Sequence, residues 1–340
     1  MPVFTVPVTP SCNTMAETET VIDKKGVLDA VLKVLNKQFG AGTVLWADAS
    51  PNLEIDKLRT NLTSLDRAIG GGIPRGRIIE LYGHEGSGKS TLALTLVASC
   101  QAQEELVAYI DMEHALDFSY MQTIGVDNSK LILSQPDTAE EALDILQALV
   151  KSGSLGLIVV DSVAALVPQK ELEGETGDAT IGLVARFMSK SLRKITPSVG
   201  KSDTAVVFIN QVRDKIGSYV PMEVTTGGRS LAFASSLRIE MKRGAEIKEG
   251  DTVLGVTSKL NIRKNKVAPP GVKLELPLLY GFGFDKFAIL AEEALRLKVI
   301  RKSGSWFEFG ELKEQGLDKL IRVLHEQQLE DTLEQAVLDA

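Results

Sequence analysis

The residues Gly83-His84-Glu85-Gly86-Ser87-Gly88-Lys89-Ser90 fit the spacing G-x-x-x-x-G-K-[ST], in which a glycine-rich turn presents backbone N–H groups to phosphate oxygens. Glycines at 83, 86 and 88 let the chain bend until those N–H groups converge, and the positive end of a following helix adds to their field. Lys89 would reach β- and γ-phosphates, and the Ser90 hydroxyl would ligate Mg2+. The pattern is informative only at a strand-to-helix turn. Residues 77–82 read as a buried strand and residues 91–98 as a helix, so a chance glycine-rich turn is the weaker explanation. The expected ligand is a nucleoside triphosphate.

Three more polar groups sit at the ends of strand-like runs. Asp161 follows the apolar run 157–160, and a carboxylate there is unfavourable without a partner such as Mg2+ or its water. Glu113, two residues past the strand 107–111, is placed to orient and deprotonate an attacking water; a surface carboxylate in a loop is the other reading. Gln211 ends the run 205–210. An amide at that point can contact a γ-phosphate and lose the contact on hydrolysis, or make an ordinary strand-end hydrogen bond.

These groups come together only if the elements carrying them share a sheet edge. Strand-like segments at 107–111, 131–133, 157–161 and 205–210 alternate with helical ones such as 139–150, which indicates an α/β fold with a mostly parallel sheet. Open sheets of this kind bind ligands beyond the carboxyl ends of their strands. Leu237, Ile239 and Met241 alternate with charged residues, as do Leu260 and Ile262, so two half-exposed strands are expected to extend the sheet. Two long segments without periodicity, at 171–180 and 212–228, lead to or carry Arg186, Arg193, Arg213, Lys215 and Arg229; loops of that length in a compact domain are functional or disordered.

Composition narrows the classes. The chain has 340 residues, 44% of them hydrophobic, and a net charge of −7. The charge is uneven: residues 190–266 hold fifteen Lys or Arg against seven Asp or Glu, whereas residues 306–340 hold nine acidic against three basic. An anion-binding body with an acidic end gives such counts, as does a salt-bridged surface. Cys12 and Cys100 are too few for a disulfide framework, and histidines at 84, 114 and 325 are scattered, so neither a zinc site nor a His-based metal site is expected. No apolar run is long enough for a membrane span, and the first positive charge is Lys24, so a secretory signal is not expected and the cytoplasm is the default compartment. Val27, Leu28, Val31, Leu32, Val34, Leu35 and Phe39 recur at helical spacing, giving an amphipathic helix of about four turns whose apolar face needs a partner.

Five stretches resemble the bacterial RecA-type homologous recombinases, in order: Ile110-Asp-Met-Glu-His-Ala-Leu-Asp117, Val159-Val-Asp-Ser-Val-Ala-Ala-Leu166, Phe208-Ile-Asn-Gln-Val-Arg213, Thr225-Thr-Gly-Gly228 and Lys264-Asn-Lys266. The likeness runs from about residue 26 to about residue 326. It implies a RecA-type P-loop ATPase core at 51–285, with a mostly parallel central sheet flanked by helices. An N-terminal tail and polymerisation arm would occupy 1–50, and a small C-terminal α/β domain with an acidic end 286–340. ATP and Mg2+ are the implied cofactors. Gly83, His84, Glu85, Gly86, Ser87, Gly88, Lys89, Ser90 and Thr91 would surround the phosphates, with Asp117 and Tyr120 also at the nucleotide and Tyr120 stacking on adenine. Ser90 and Asp161 would hold the metal. Glu113 resembles the catalytic carboxylate, and Gln211 the sensor linking γ-phosphate to DNA-binding loops at about 171–182 and 212–226. Lys264 and Lys266 are similar to lysines that reach the neighbouring subunit's ATP and so count with Lys89 as catalytic. Arg186, Arg193, Arg213, Lys215, Gly227 and Gly228 match positions near bound DNA.

The implied partners are single- and double-stranded DNA, copies of the same chain in a helical filament, a self-cleaving repressor, and single-strand-binding or mediator proteins; no membrane is implied. The function that follows is ATP-dependent homologous pairing and strand exchange. A hexameric helicase-like ATPase is the rival, and a nucleotide-gated scaffold for repressor self-cleavage a third reading. Some positions depart from the family pattern. His84 and Gly86 stand where proline and serine are more usual, 218–224 is about one residue short, the acidic end is brief, and residues 1–20 match nothing, which leaves Met15 as an alternative start.

Overall fold

The computed structural model describes residues 23–49, 55–172, 182–214 and 223–340. Lys215, residues 1–20 with Cys12 and Met15, and most of the segments 171–182 and 212–226 lie outside the described residues. Two compact units are defined, Met1–Glu54 and Ile55–Ala340.

In the first unit, α1 (Lys24–Phe39) is the amphipathic helix read from the sequence. Asp23 starts it, its carboxylate accepting from the Gly26 N–H at 3.1 Å, and Gly40 stops it. The Asn36 side chain fixes the chain beyond the stop, donating to the Val44 carbonyl at 2.8 Å and accepting from the Val44 N–H at 3.0 Å. Val27, Val31 and Val34 lie exposed along one stripe, and no residue of α1 is buried.

The second unit opens with β1 (Lys57–Leu58), α2 (Thr63–Ile69) and β2 (Ile73–Pro74), the two short strands pairing antiparallel. Then come β3 (Ile78–Gly83), α3 (Lys89–Ala102), β4 (Val107–Asp111), α4 (Phe118–Ile124), β5 (Leu131–Ser134), α5 (Ala139–Ser152) and β6 (Leu157–Asp161). A short α6 (Gln169–Leu172), α7 (Leu183–Val199), β7 (Ala205–Asp214), β8 (Glu223–Thr225) and α8 (Ser230–Ala234) follow. The sheet is completed by β9 (Leu237–Glu249), β10 (Thr252–Asn265), β11 (Lys273–Leu279) and β12 (Gly283–Phe284). Its strands lie in the order β12-β11-β10-β9-β3-β7-β6-β4-β5. From β9 to β5 all neighbours are parallel, and β10, β11 and β12 are antiparallel.

Every residue of β3, β4 and β6 is buried, as expected for parallel strands covered on both faces. The two-residue period divides their side chains. Ile79, Leu81, Tyr109, Val159 and Val207 join the core under α3 and α4, whereas Ile78, Ile110, Ile158, Val160 and Phe208 join the core under α5 and α7. The helix α3 is buried continuously from Leu92 to Gln101, so it has no polar face for periodicity to reveal.

One expectation needs correcting. The run 212–228 was expected to lack strand structure, but β7 continues past Gln211 to Asp214, and Val212, Arg213 and Asp214 pair antiparallel with Thr225, Val224 and Glu223. Three-residue pairings are too short to leave a periodic signature. Similarly, the segment expected from 171 begins inside the turn α6.

After β12 the chain forms α9 (Lys286–Arg296), an antiparallel sheet of β13 (Arg301–Ser303), β14 (Trp306–Phe309) and β15 (Leu312–Gln315), then α10 (Leu317–Glu326) and α11 (Glu330–Leu338). Leu290, Ala291 and Ala294 of α9 join Phe307, Leu320, Leu324, Leu333 and Val337 in a separate apolar core, while Ile289 faces the main one. Between them Glu293, 4% exposed, accepts from Arg296 at 2.5 Å and lies 3.7 Å from Arg67 of α2.

Candidate nucleotide site

The loop from Gly83 to Lys89 joins the carboxyl end of β3 to the amino end of α3, the context its spacing requires. Gly83 is obligatory for packing: a Cβ there would lie 1.9 Å from the Met241 carbonyl oxygen on β9. Gly88, the residue before α3, takes a left-handed conformation with φ 92°. The loop folds on its own carbonyls. His84 O accepts from Ser87 Oγ at 2.7 Å and from Lys89 Nζ at 2.7 Å, and Ser258 of β10 braces the turn by donating to Ser87 O at 2.8 Å. His84 and Glu85 are exposed, whereas Lys89 is buried. Burial lowers the Lys89 pKa, opposed by the charges of Asp161, Glu113 and Glu85, so the ammonium faces a concentrated negative field.

Asp161, at the carboxyl end of β6, meets the loop directly. Its Oδ2 accepts from Ser90 Oγ at 3.0 Å and from the Tyr109 hydroxyl at 2.7 Å. Burial pushes the carboxyl up to about 6; the Tyr109 hydrogen bond opposes the rise and the charge of Glu113 adds to it. A hydroxyl and a carboxylate at a solvent-reachable rim are hard oxygen donors. Such a pair suits Mg2+, which takes few protein ligands and fills its octahedron with water and phosphate oxygens. Among the described residues no cluster of three or more His, Cys, Asp or Glu forms a self-sufficient metal cage.

Glu113 and Gln211 face each other across the same cavity. Glu113 Oε1 accepts from Ser162 Oγ at 2.5 Å and from Gln211 Nε2 at 3.4 Å. Gln211 stands opposite Gly83 in the β3–β7 register, which sets its amide at the mouth of the loop. Lys89, Ser90, Thr91, Glu113, Asp161 and Gln211 thus line one cavity with Glu85, Gly86, Gly88, Ser162 and Ile209.

The remaining expected residues lie elsewhere. Asp117 caps α4, its Oδ1 accepting from the N–H groups of Ser119 and Tyr120 at 2.8 and 3.2 Å. The Tyr120 hydroxyl is 3.0 Å from Thr91 Oγ1, so its ring stands beside the start of α3. Arg186 and Arg193 are exposed on α7, and Arg213 is exposed on β7. Gly227 and Gly228 turn the chain against α7 and the 163–165 turn: a Cβ on either would sit 3.0 Å from Val163 Cγ1 or Ala185 Cβ.

Lys264 and Lys266 stand well away from their own chain's phosphate loop. Lys264 is level with Arg238 on β9, which is level with Glu80 on β3, three residues before Gly83. That separation is roughly 10 Å along the strands and about as much again across two of them, beyond one lysine's reach. Lys264 Nζ instead donates to the carbonyls of Ala232 at 2.7 Å and Phe233 at 3.1 Å, at the end of α8. Burial lowers its pKa, and the charges of Lys266 and Arg238 act in the same direction.

Sequence reasoning missed Tyr109 and Ser162. Tyr109 sits in an apolar run and gives no signal; Ser162 follows Asp161 directly, but only the fold turns its hydroxyl onto Glu113.

A phosphate loop at the head of a parallel sheet, a carboxylate ending the strand two places away and a cavity joining them define a phosphate-loop nucleoside triphosphatase. The family model described as the RecA N-terminal domain matches residues 26–285. Protein RecA of Thermus thermophilus is 47% identical over 307 residues, covering 89% of this chain and 90% of that protein. Protein RecA of Chlorobium limicola is 46% identical over 303 residues, covering 88% and 87%, and that of Listeria welshimeri 47% over 291 residues, covering 85% and 84%. The chain belongs to the RecA family. It is a DNA-dependent ATPase and a recombinase of DNA recombination and repair, from a family that binds DNA and forms filaments. No helix among the described residues is long and apolar enough to cross a membrane.

Proposed function

We propose that this chain binds ATP with Mg2+ in the loop between β3 and α3, polymerises on single-stranded DNA, and uses hydrolysis to turn the filament over while it pairs and exchanges strands with a homologous duplex. Lys89 and the loop N–H groups would hold the phosphates, with Tyr120 beside the base. Ser90 and Asp161 would hold Mg2+, which would supply positive charge to offset that of the phosphates. Glu113 takes the proton of the attacking water, and Ser162 fixes its orientation. Gln211 reads the γ-phosphate. Arg186, Arg193, Arg213, Lys215, Gly227 and Gly228 form the DNA face, whose binding weakens as salt rises because contacts to phosphates release counterions.

Lys264 and Lys266 would complete the site of the neighbouring protomer. The distance of Lys264 from its own loop favours this role, as does its donation, among the described residues, to the carbonyls of Ala232 and Phe233 rather than to a carboxylate. In this reading residues 1–50 are the polymerisation arm, 51–285 the ATPase and 286–340 a terminal domain. The protein acts in the cytoplasm, and contacts with a self-cleaving repressor or mediator proteins belong to the assembled filament.

The observation that carries the proposal is the contact between Gln211 and Glu113: the strand that touches the carboxylate continues directly into Val212–Asp214, with Arg213 exposed. Glu113→Gln is the test. It should keep ATP affinity within about threefold while DNA-stimulated turnover falls by roughly 100-fold or more. Near-normal turnover would remove Glu113 as the base.

A further inference from the structure

Glu80 lies in the middle of β3 with 0% of its surface exposed, between the core residues Ile79 and Leu81, and no step of hydrolysis uses it. Its Oε2 accepts from Arg238 Nε of β9 at 2.5 Å, and its Oε1 accepts from Asn210 Nδ2 of β7 at 3.0 Å. Asn210, also 0% exposed, spends its remaining capacity on the chain beside it. It donates to the Thr226 carbonyl at 3.1 Å, and its Oδ1 accepts from the Gln211 N–H at 2.9 Å. Thr226 returns two bonds to the Gln211 carbonyl, from its N–H at 3.1 Å and its hydroxyl at 3.3 Å.

On the other side, the Arg238 guanidinium stacks 4.5 Å from the centre of the Tyr82 ring. Its backbone is level with Lys264. One buried carboxylate therefore ties together three strands. Through β7 it reaches the amide facing Glu113 and the turn Thr226–Gly228; through β9 it reaches the strand end bearing Lys264.

Stability alone does not account for a charge in this position, because apolar residues of equal volume commonly serve a core as well or better than a buried ion pair. What the cluster provides is directional connection: every polar atom of Asn210 is committed, so Gln211 and Thr226 cannot shift independently of Glu80. We propose that Glu80, Asn210 and Arg238 form a positioning device that couples triphosphate occupancy at Gln211 to the DNA-binding segment and to the Lys264 edge. This rests on the roles proposed above for Gln211 and that segment.

Coupling is measurable as a ratio of affinities and is reciprocal. With the full chain, the affinity for a single-stranded oligonucleotide is measured without nucleotide and with a non-hydrolysable ATP analogue, and analogue affinity is measured with and without the oligonucleotide. The variants are Asn210→Ala and Glu80→Gln, the second keeping side-chain size while removing the charge. Circular dichroism establishes that each is folded. Each should reduce the coupling factor by at least about fivefold, with each ligand's affinity alone changed less than about threefold. An unchanged factor, weakened single-ligand affinities with the factor preserved, or loss of the fold in both variants would assign the cluster to structure and overturn the proposal. A wild-type factor of one would instead remove the underlying reading of Gln211, and this inference with it.

Discussion

At Asp161, burial and the proposed metal ligation pull in opposite directions. The fold raises its carboxyl to about 6 from 3.8, mainly by burial, so ionising it in the nucleotide-free protein opposes folding. The sign follows from linkage: the folded state binds more protons between about pH 4 and 6, so stability falls as pH rises through that window and the penalty stays constant above it. Asp161→Asn should therefore be more stable than the wild type above pH 6, by up to about 3 kcal/mol, and lose that advantage near pH 4. Denaturant midpoints of the two proteins across this range check it; a pH-independent difference would show that burial does not dominate. The residues of the loop, Asp161, Glu113 and Gln211 were legible in the sequence because each is an isolated polar group at a fixed offset from an apolar run. Tyr109, Ser162, Glu80 and Asn210 were not, because their significance lies in partners 49 to 158 residues away. No local pattern encodes such a pairing.

Elements were legible to the extent that they repeat. The alternation of strand and helix from 77 to 210 and the stripe of α1 both follow from periodicity, whereas β8 rests on three residues paired with the end of the strand before it. The stripe of α1 makes its own prediction. Val31 is 46% exposed, so Val31→Asp should alter folding stability by no more than about 0.5 kcal/mol. If the stripe docks on a neighbouring protomer, the same change should disperse filaments. Negatively stained samples with single-stranded DNA and an ATP analogue give the answer, and filaments of normal length would leave α1 without that role.

For the whole molecule, the proposed role of Lys264 has a direct consequence: if it serves the neighbouring protomer's nucleotide, each ATP site is completed only by assembly. Lys264→Ala and Glu113→Gln should each be nearly inactive alone. Mixed, they should recover part of the DNA-stimulated hydrolysis, because some interfaces then pair an intact Glu113 with an intact Lys264. A mixture no better than its more active member, with co-assembly confirmed, would count against a shared site. Lys264→Ala that is active by itself would reduce the lysine to a cap on α8, worth about 1 kcal/mol.

The helix α9 has a consequence for how the molecule responds to heat. Ile289 fills the main core while Leu290, Ala291 and Ala294 fill the terminal one, and Glu293 lies against Arg67 across the junction. Melting of either core pulls the same helix away from the other, so Ile55–Ala340 should lose its structure in one cooperative step and calorimetry should record one endotherm for it. Two resolved endotherms from this unit would contradict that. A chain ending at residue 285 would lack the side chain that Ile289 contributes, a vacancy worth about 2–4 kcal/mol, and should melt well below one ending at residue 296. Removing the acidic end should therefore destabilise the ATPase least when the cut leaves α9 whole.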